Sequence, residues 1–93
     1  MRSRRIITVL VILSLLLTGT ALAKDKFYGT VEQMPPYGPY GIWIISGRSV
    51  LVTAETKMKQ KKGPIVPGAW VEVEGRYYGS QFTAKEIETK GSR

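Results

Sequence analysis

The sequence predicts an all-β protein, a small five-stranded antiparallel OB-like barrel that follows a cleavable signal peptide. Apolar and polar residues alternate with a period of two along much of the chain after residue 24, which is typical of half-buried strands. Glycine and proline clusters interrupt this alternation and leave segments too short for packed helices. A basic and then strongly apolar segment comes first, and it needs a separate explanation.

Residues 1–23 have the three parts of a secretory signal peptide. Three arginines lie within the first five positions, residues 6–17 are nearly all apolar, and residues 21–23 read Ala-Leu-Ala. As a helix the apolar stretch would span roughly 18 Å, short of the ~30 Å hydrocarbon core. We therefore expect cleavage after Ala23, transient membrane contact through the signal peptide, and a periplasmic or secreted protein. Retention as an N-terminal anchor is the alternative.

Residues 24–93 are expected to form a single domain. Loss of the three N-terminal arginines lowers the formal net charge from +7 to +4, a mild basic bias. The chain has no cysteine, so disulfides cannot reinforce the fold. A chain of this length buries roughly 60% of its unfolded surface, which is enough for one core.

The predicted strands cover residues 26–34, 41–46, 48–53, 69–78 and 81–88. Ser46-Gly47 as a two-residue turn pairs Trp43 with Val50, because such a turn sets the register of its hairpin. Trp43 and Val50 then face the core, together with Ile45 and Val52. The opposite face carries Ile42, Ile44 and Leu51 and is unusually apolar for a solvent-facing surface.

A second hairpin is predicted at Gly79-Ser80. Beyond it, Ala84 and Ile87 are out of phase, which indicates a β-bulge at Lys85-Glu86. Glycines within strands, at 29 and 75, favour the sharp coiling of a closed barrel. An SH3-like barrel or a flattened sandwich is the alternative to the OB-like barrel.

Glycines and apolar residues recur at a regular spacing, in Gly29-x-Val31, Gly41-x-Trp43-x-Ile45-x-Gly47-Arg48-x-Val50-x-Val52, Thr56, Gly68-x-x-Val71-x-Val73-x-Gly75 and Ala84-x-x-Ile87. This spacing resembles that of an uncharacterised family of small exported bacterial OB-like β-barrel domains. The resemblance covers nearly all of residues 24–93, and it implies a fold and an exported location but no activity. A loop at residues 35–40 that is longer and more aromatic than expected departs from the pattern.

The residue inventory argues against an enzyme. Without histidine or cysteine there is no Ser/His or Cys/His nucleophile pair, and no imidazole or thiolate metal site. Glu72 and Glu74 share one strand face, as acid/base chemistry would require. Alternating glutamates are, however, typical of the solvent-exposed face of a half-buried strand. We therefore expect no catalytic residue, no metal and no cofactor.

The loop that reads MPPYGPYG, residues 34–41, is the main candidate binding site. Tyr37 and Tyr40 stand on a backbone stiffened by three prolines, so little entropy is lost when they meet a partner. Tyr77 and Tyr78 join them if the turn after the fourth strand lies at the same rim of the barrel. The alternative is that these rings fold down and cap the open end.

We expect this aromatic rim to recognise a peptide, glycan or protein of the cell envelope. Export argues against nucleic acid as a partner. One alternative is an interaction protein that uses the apolar surface of Ile42, Ile44 and Leu51, extended by Trp70. Another alternative is polyanion binding by a cluster of four lysines, Lys57, Lys59, Lys61 and Lys62. Without such a ligand, this cluster is an ordinary solvent-exposed loop that keeps the protein soluble.

Overall fold

Residues 24–91, the part that the computed structural model describes, contain six β-strands and no helix. The predicted signal peptide lies outside the described residues. No helix between residues 24 and 91 is long and apolar enough to cross a membrane. The strands are β1 (Asp25–Gln33), β2 (Gly41–Ile45), β3 (Arg48–Val52), β4 (Lys57–Lys59), β5 (Trp70–Tyr78) and β6 (Gln81–Thr89).

Five of the strands close into a barrel. Antiparallel pairing joins them in the order β3, β2, β1, β5, β6. A parallel pairing of β3 with β6, Val50 with Phe82 and Leu51 with Thr83, then closes the sheet. A flattened sandwich would not join these strands, so the predicted OB-like barrel is confirmed.

Both predicted hairpins are present. In the first, Ser46 and Gly47 have φ of 46° and 78°, and the strands pair Trp43 with Val50 as expected. Two residues with positive φ match a turn whose twist follows that of the flanking strands. In the second, Tyr78 pairs with Gln81 across a two-residue turn.

The predicted bulge is confirmed at Lys85. Glu74 pairs with Glu86 but Gly75 pairs with Ala84, which leaves Lys85 as an extra residue in β6. At this kink the backbones approach closely, and a Cβ on Gly75 would overlap the carbonyl oxygen of Thr83. Glycine is therefore required at 75 for steric reasons.

Inward-facing side chains from the five barrel strands and one loop residue fill the interior. Trp43 is 1% exposed and Val50 is fully buried, as their register predicts. Buried Thr56 donates from Oγ1 to the carbonyl oxygen of Ala84 at 2.7 Å and ties the chain after β3 to β6. The core residues are Val31, Trp43, Ile45, Val50, Val52, Ile65, Val71, Val73, Phe82, Ala84 and Ile87.

The sequence predicts five strands, and β4 is the strand it misses. This segment pairs in parallel with β6, Met58 opposite Ile87. At three residues, with two lysines, it has too little alternation to be distinguished from a loop. Its formation depends on the free edge that β6 offers beyond its pairing with β3.

Candidate functional site

Side chains on the outside of β2 and β3 form an apolar surface. Ile42 pairs with Leu51 and Ile44 with Ser49, and we name these four residues the outer β2–β3 face. Ile42 is 45% exposed, while Ile44 and Leu51 are half-buried. This side of an OB barrel, flanked by the loops between strands, is where ligands of this fold bind.

The outer β2–β3 face continues across the closed sheet. Leu51 is level with Thr83 on β6, and Thr83 pairs with Arg76 on β5. Ile42, Leu51, Thr83 and Arg76 therefore form one row around the outside of the barrel. The row runs from an apolar end to a cationic end.

The loop at residues 34–40 stands at the β2 end of this row. Trp43 donates from Nε1 to the carbonyl oxygen of Pro39 at 2.7 Å, which attaches the loop to the core. Tyr37 is 99% exposed and Tyr40 is 59% exposed. Rings so exposed do not cap the barrel, so the capping alternative does not describe these two tyrosines.

Tyr77 and Tyr78 lie elsewhere, and the four tyrosines do not share one rim. Tyr78 lies at the end of β5 next to the start of β1, whereas the loop at residues 34–40 follows the other end of β1. The turn after β5 and the loop after β1 therefore lie on two sides of the outer β2–β3 face. Tyr77 belongs to a packed cluster, since its Oη accepts a 2.8 Å hydrogen bond from Arg48 and its ring meets Phe82 edge-to-face.

Trp70 is not part of the outer β2–β3 face. Its ring stacks on Tyr28 with centroids 6.3 Å apart, on the outside of the β1–β5 pair. Trp70 begins β5 and Arg76 lies toward its other end, so roughly 20 Å of strand separates them.

The four lysines of the second candidate site do not form one free patch. Lys59 pairs with Glu86, Nζ to Oε1 3.1 Å, and this hydrogen bond raises the pKa of Lys59. Lys57, Lys61 and Lys62 are exposed. The backbone N–H of Lys62 donates to Oγ1 of Thr89, which holds the loop against the end of β6.

Glu72 and Glu74 are engaged in contacts on the outside of β5. Tyr28 donates from Oη to Glu72 at 2.7 Å. Lys24 lies 2.9 Å from Glu74, and the hydrogen bond between them lowers the pKa of that carboxyl. A carboxyl with a lowered pKa is a poor general acid at neutral pH, which agrees with the solvated-face interpretation.

Three carboxylates form the one cluster among residues 24–91 with a metal-like spacing. Oxygens of Glu72, Glu86 and Glu88 lie within 4.8 Å of one another. Lysines neutralise the cluster: Lys59 pairs with Glu86, and Lys90 lies 3.2 Å from Glu88 and 3.9 Å from Glu72. These contacts give the carboxylates a structural role in an ion-pair ladder.

A small cavity at the mouth of the barrel brings two methionines together. Met34 follows β1 and Met58 lies on β4, and both line a cavity of about 150 Å³ above Trp43. The other lining residues are Pro39, Gln60 and Ile65. Sequence reasoning considered imidazole and thiolate sites and missed these thioethers, because only the formation of β4 brings them together.

Comparison with known proteins identifies the family. A family profile described as "Domain of unknown function (DUF5666)" matches residues 28–88. The chain belongs to the DUF5666 family. No relative of this DUF5666 domain was found among curated proteins.

Solved structures of CusF are similar to this DUF5666 domain. Silver-bound Ag(I)CusF is 15% identical with a TM-score of 0.59, and the match covers 73% of this chain and 99% of that one. Apo-CusF from Escherichia coli is 14% identical with a TM-score of 0.61, and the match covers 76% of this chain and 92% of that one. A copper(II) complex of an E. coli CusF variant is 15% identical with a TM-score of 0.56, and the match covers 72% of this chain and 91% of that one. At such identities the likeness shows the OB-like fold, and no enzyme family is indicated.

Proposed function

We propose that this DUF5666 domain is an exported, non-enzymatic binding module of the cell envelope that takes an extended protein or peptide segment on its outer β2–β3 face. The observation that carries the proposal is the exposure of Ile42 together with Tyr37 and Tyr40, three apolar or aromatic side chains that the fold leaves uncovered. The predicted signal peptide supports export.

The chemistry of the surface favours a peptide over a glycan. Ser49 is the single polar side chain among the four residues of the outer β2–β3 face. Glycans need many hydrogen-bonding groups, whereas apolar side chains of a peptide fill the space beside branched residues such as Ile42 and Leu51. Tyrosines at the edge supply contact area with little loss of side-chain entropy.

A screen of a random peptide library against residues 24–93, which contain the whole barrel and its core, tests this proposal. For selected peptides, Tyr40→Ala should weaken binding by about 2 kcal/mol, the size expected of an interface hot spot. Because the Tyr37 and Tyr40 rings are exposed, their replacement should leave the melting temperature nearly unchanged. Tyr28→Ala is the matched control, since Tyr28 is 52% exposed but lies on the β1–β5 side.

Three outcomes separate the alternatives. Binding that ignores Tyr37→Ala, Tyr40→Ala and Ile42→Ser contradicts the proposed face. A glycan array that selects ligands where the peptide library selects none would replace a peptide with a glycan. Affinity that falls steeply with salt and is lost when the exposed lysines Lys57, Lys61 and Lys62 are neutralised would assign binding to the lysine loop.

A soft metal ion is a second candidate ligand, favoured by the cavity that Met34 and Met58 share. Thioether sulfurs are soft donors that suit Cu(I) and similar ions, and the CusF structures carry Ag(I) in one case and Cu(II) in another. Residues 24–93 contain neither histidine nor cysteine, so Met34 and Met58 are their complete set of soft ligands. The residues present therefore fit a weak soft-metal site.

Titration with Ag(I), followed by tryptophan fluorescence, tests the metal candidate. Binding there should change the emission of Trp43 and should be lost in Met34→Leu and in Met58→Leu, which keep the apolar volume. Binding that survives both substitutions would exclude the cavity. Trp70→Phe is the control, since it removes the emission of the other tryptophan and leaves the cavity intact.

A further inference from the structure

A cleft opens on the outside of the barrel where β3 and β6 separate. The parallel pairing ends with Leu51 and Thr83, and the chain after β3 turns away at Thr53. The cleft has a volume of about 240 Å³. It lies at the cationic end of the row that begins at Ile42, and its principal lining residues are Thr53, Glu55, Arg76, Tyr78, Thr83 and Lys85.

Arg76 lines this cleft with an unused hydrogen-bond donor. Its Nε is buried and has no acceptor among residues 24–91, and its guanidinium takes part in none of their ion pairs. A buried donor of a charged group without a partner is unfavourable, because its lost hydration is not replaced by a hydrogen bond. Arg48, by contrast, donates to Tyr77 and lies over the Phe27 ring.

The neighbours of Arg76 add positive charge and further donors. Lys85 is the bulged residue of β6, and its exposed side chain lines the cleft because the extra residue shifts the strand register there. Thr83 and Tyr78 contribute hydroxyl groups to the same wall. The cleft therefore combines a fork-shaped guanidinium with a second cation.

Glu55 is the one acidic residue in the lining, and Thr53 holds it in the wall. The Glu55 carboxylate accepts a 2.9 Å hydrogen bond from Oγ1 of Thr53, and the Glu55 backbone N–H donates to that hydroxyl oxygen of Thr53 at 3.2 Å. No ion pair joins Glu55 to Arg76 or Lys85 within 4.0 Å in this part of the chain. Its negative charge favours a singly charged anion over a doubly charged phosphate in the cleft.

We propose that this cleft, which we name the Arg76 cleft, binds a carboxylate group, with N–H groups of the Arg76 guanidinium donating to its two oxygens. Paired N–H donors in one plane match the geometry of a carboxylate. Lys85 adds attraction without fixing direction. The site deepens the proposed function and rests on it, because the carboxylate is that of the peptide on the outer β2–β3 face.

The geometry defines where the carboxylate lies in such a peptide. Arg76 is three strands from Ile42 along the row, about 14 Å at ~4.8 Å per strand. An extended chain spans this distance with roughly four residues at ~3.4 Å each. The peptide therefore carries an apolar side chain about four positions from an acidic side chain or from its C-terminus.

Arginine side-chain NMR signals test the Arg76 cleft directly. Residues 24–93 contain three arginines, Arg48, Arg76 and Arg93, so the Nε–Hε region of a ¹⁵N-labelled sample is simple to assign. N-acetylglycine, titrated at constant ionic strength, should shift the Arg76 Nε–Hε signal saturably and leave that of Arg48 in place. N-acetylglycinamide, which lacks the charge, should leave both signals in place.

Substitutions extend this test. Glu55→Gln should tighten N-acetylglycine binding at least about twofold, because a like charge is removed from the wall. Lys85→Gln should weaken binding, while Lys24→Gln, at a cation outside the cleft, should not. Equal effects of the two lysine substitutions would reduce the site to general charge attraction and overturn the proposal.

Other results separate this proposal from the proposed function. A linear, unsaturated shift of Arg76, or inorganic phosphate binding more tightly than N-acetylglycine, overturns the assignment of a carboxylate site. If N-acetylglycine binds saturably but no peptide is selected for the outer β2–β3 face, the carboxylate site in the Arg76 cleft is supported and the proposed function is contradicted. Selected peptides whose affinity is unchanged by Arg76→Lys support the proposed function and overturn the role of the cleft.

Discussion

Replacement of Trp43 by alanine should remove most of the stability of the domain. The Trp43 side chain is 1% exposed, and a buried tryptophan truncated to alanine costs about 3–5 kcal/mol. Loss of its hydrogen bond to Pro39 adds ~0.5–1.5 kcal/mol. The sum of about 3.5–6.5 kcal/mol is comparable with the lower end of the stability of a small domain, commonly ~5–15 kcal/mol.

Urea unfolding followed by circular dichroism measures this loss, with Trp70→Ala as the matched control. Trp70 is half-buried and stacks on Tyr28, a contact worth about 0.5–1.5 kcal/mol beyond area burial. We expect the control to lose far less stability than Trp43→Ala. Similar losses in the two variants would refute the assignment of Trp43 to the core.

Trp43→Phe separates the packing from the hydrogen bond, because it keeps most of the ring volume and removes the indole N–H. It should cost roughly 1–2 kcal/mol and release the carbonyl of Pro39. Amide hydrogen exchange in residues 34–40 should therefore accelerate while exchange in β5 and β6 stays slow. Unchanged exchange in the loop would show that the hydrogen bond does not hold it.

Three further predictions concern the backbone, pH and processing. Gly75→Ala should destabilise the domain by more than about 2 kcal/mol in thermal melts, since a Cβ there overlaps the Thr83 carbonyl and the backbone must move. The free energy of unfolding should fall as pH drops below 4.5. The carboxyls of Glu74 and Glu88 have lowered pKa values in the folded state, so the stability that their ionised forms contribute is lost as they become protonated. Glu74→Gln should make the plot of stability against pH flatter. Intact mass of the exported protein should correspond to a chain that begins at Lys24, and full-length protein recovered in the membrane would contradict cleavage.

Local chemistry explains why much of the fold was predictable from the sequence. A two-residue turn at Ser46-Gly47 sets the register of β2 and β3, and a period of two then decides that Trp43 faces inward. The phase change between Ala84 and Ile87 likewise indicates the bulge. Each of these depends on residues close together in the chain, so their spacing is sufficient to predict the outcome.

Features that depend on pairing between strands far apart in the chain could not be predicted from the sequence. Arg76 follows Glu72 and Glu74 in the alternation of β5 and looks like one more solvated side chain, yet the divergence of β3 from β6 opens a cleft beside it. The four tyrosines likewise look like one set, but the antiparallel pairing of β1 with β5 places Tyr37 and Tyr40 at one end of the pair and Tyr77 and Tyr78 at the other. Alternation shows which side of a strand a residue occupies, whereas the choice of neighbouring strands depends on closure of the whole sheet, and that decided which side chains could form a site.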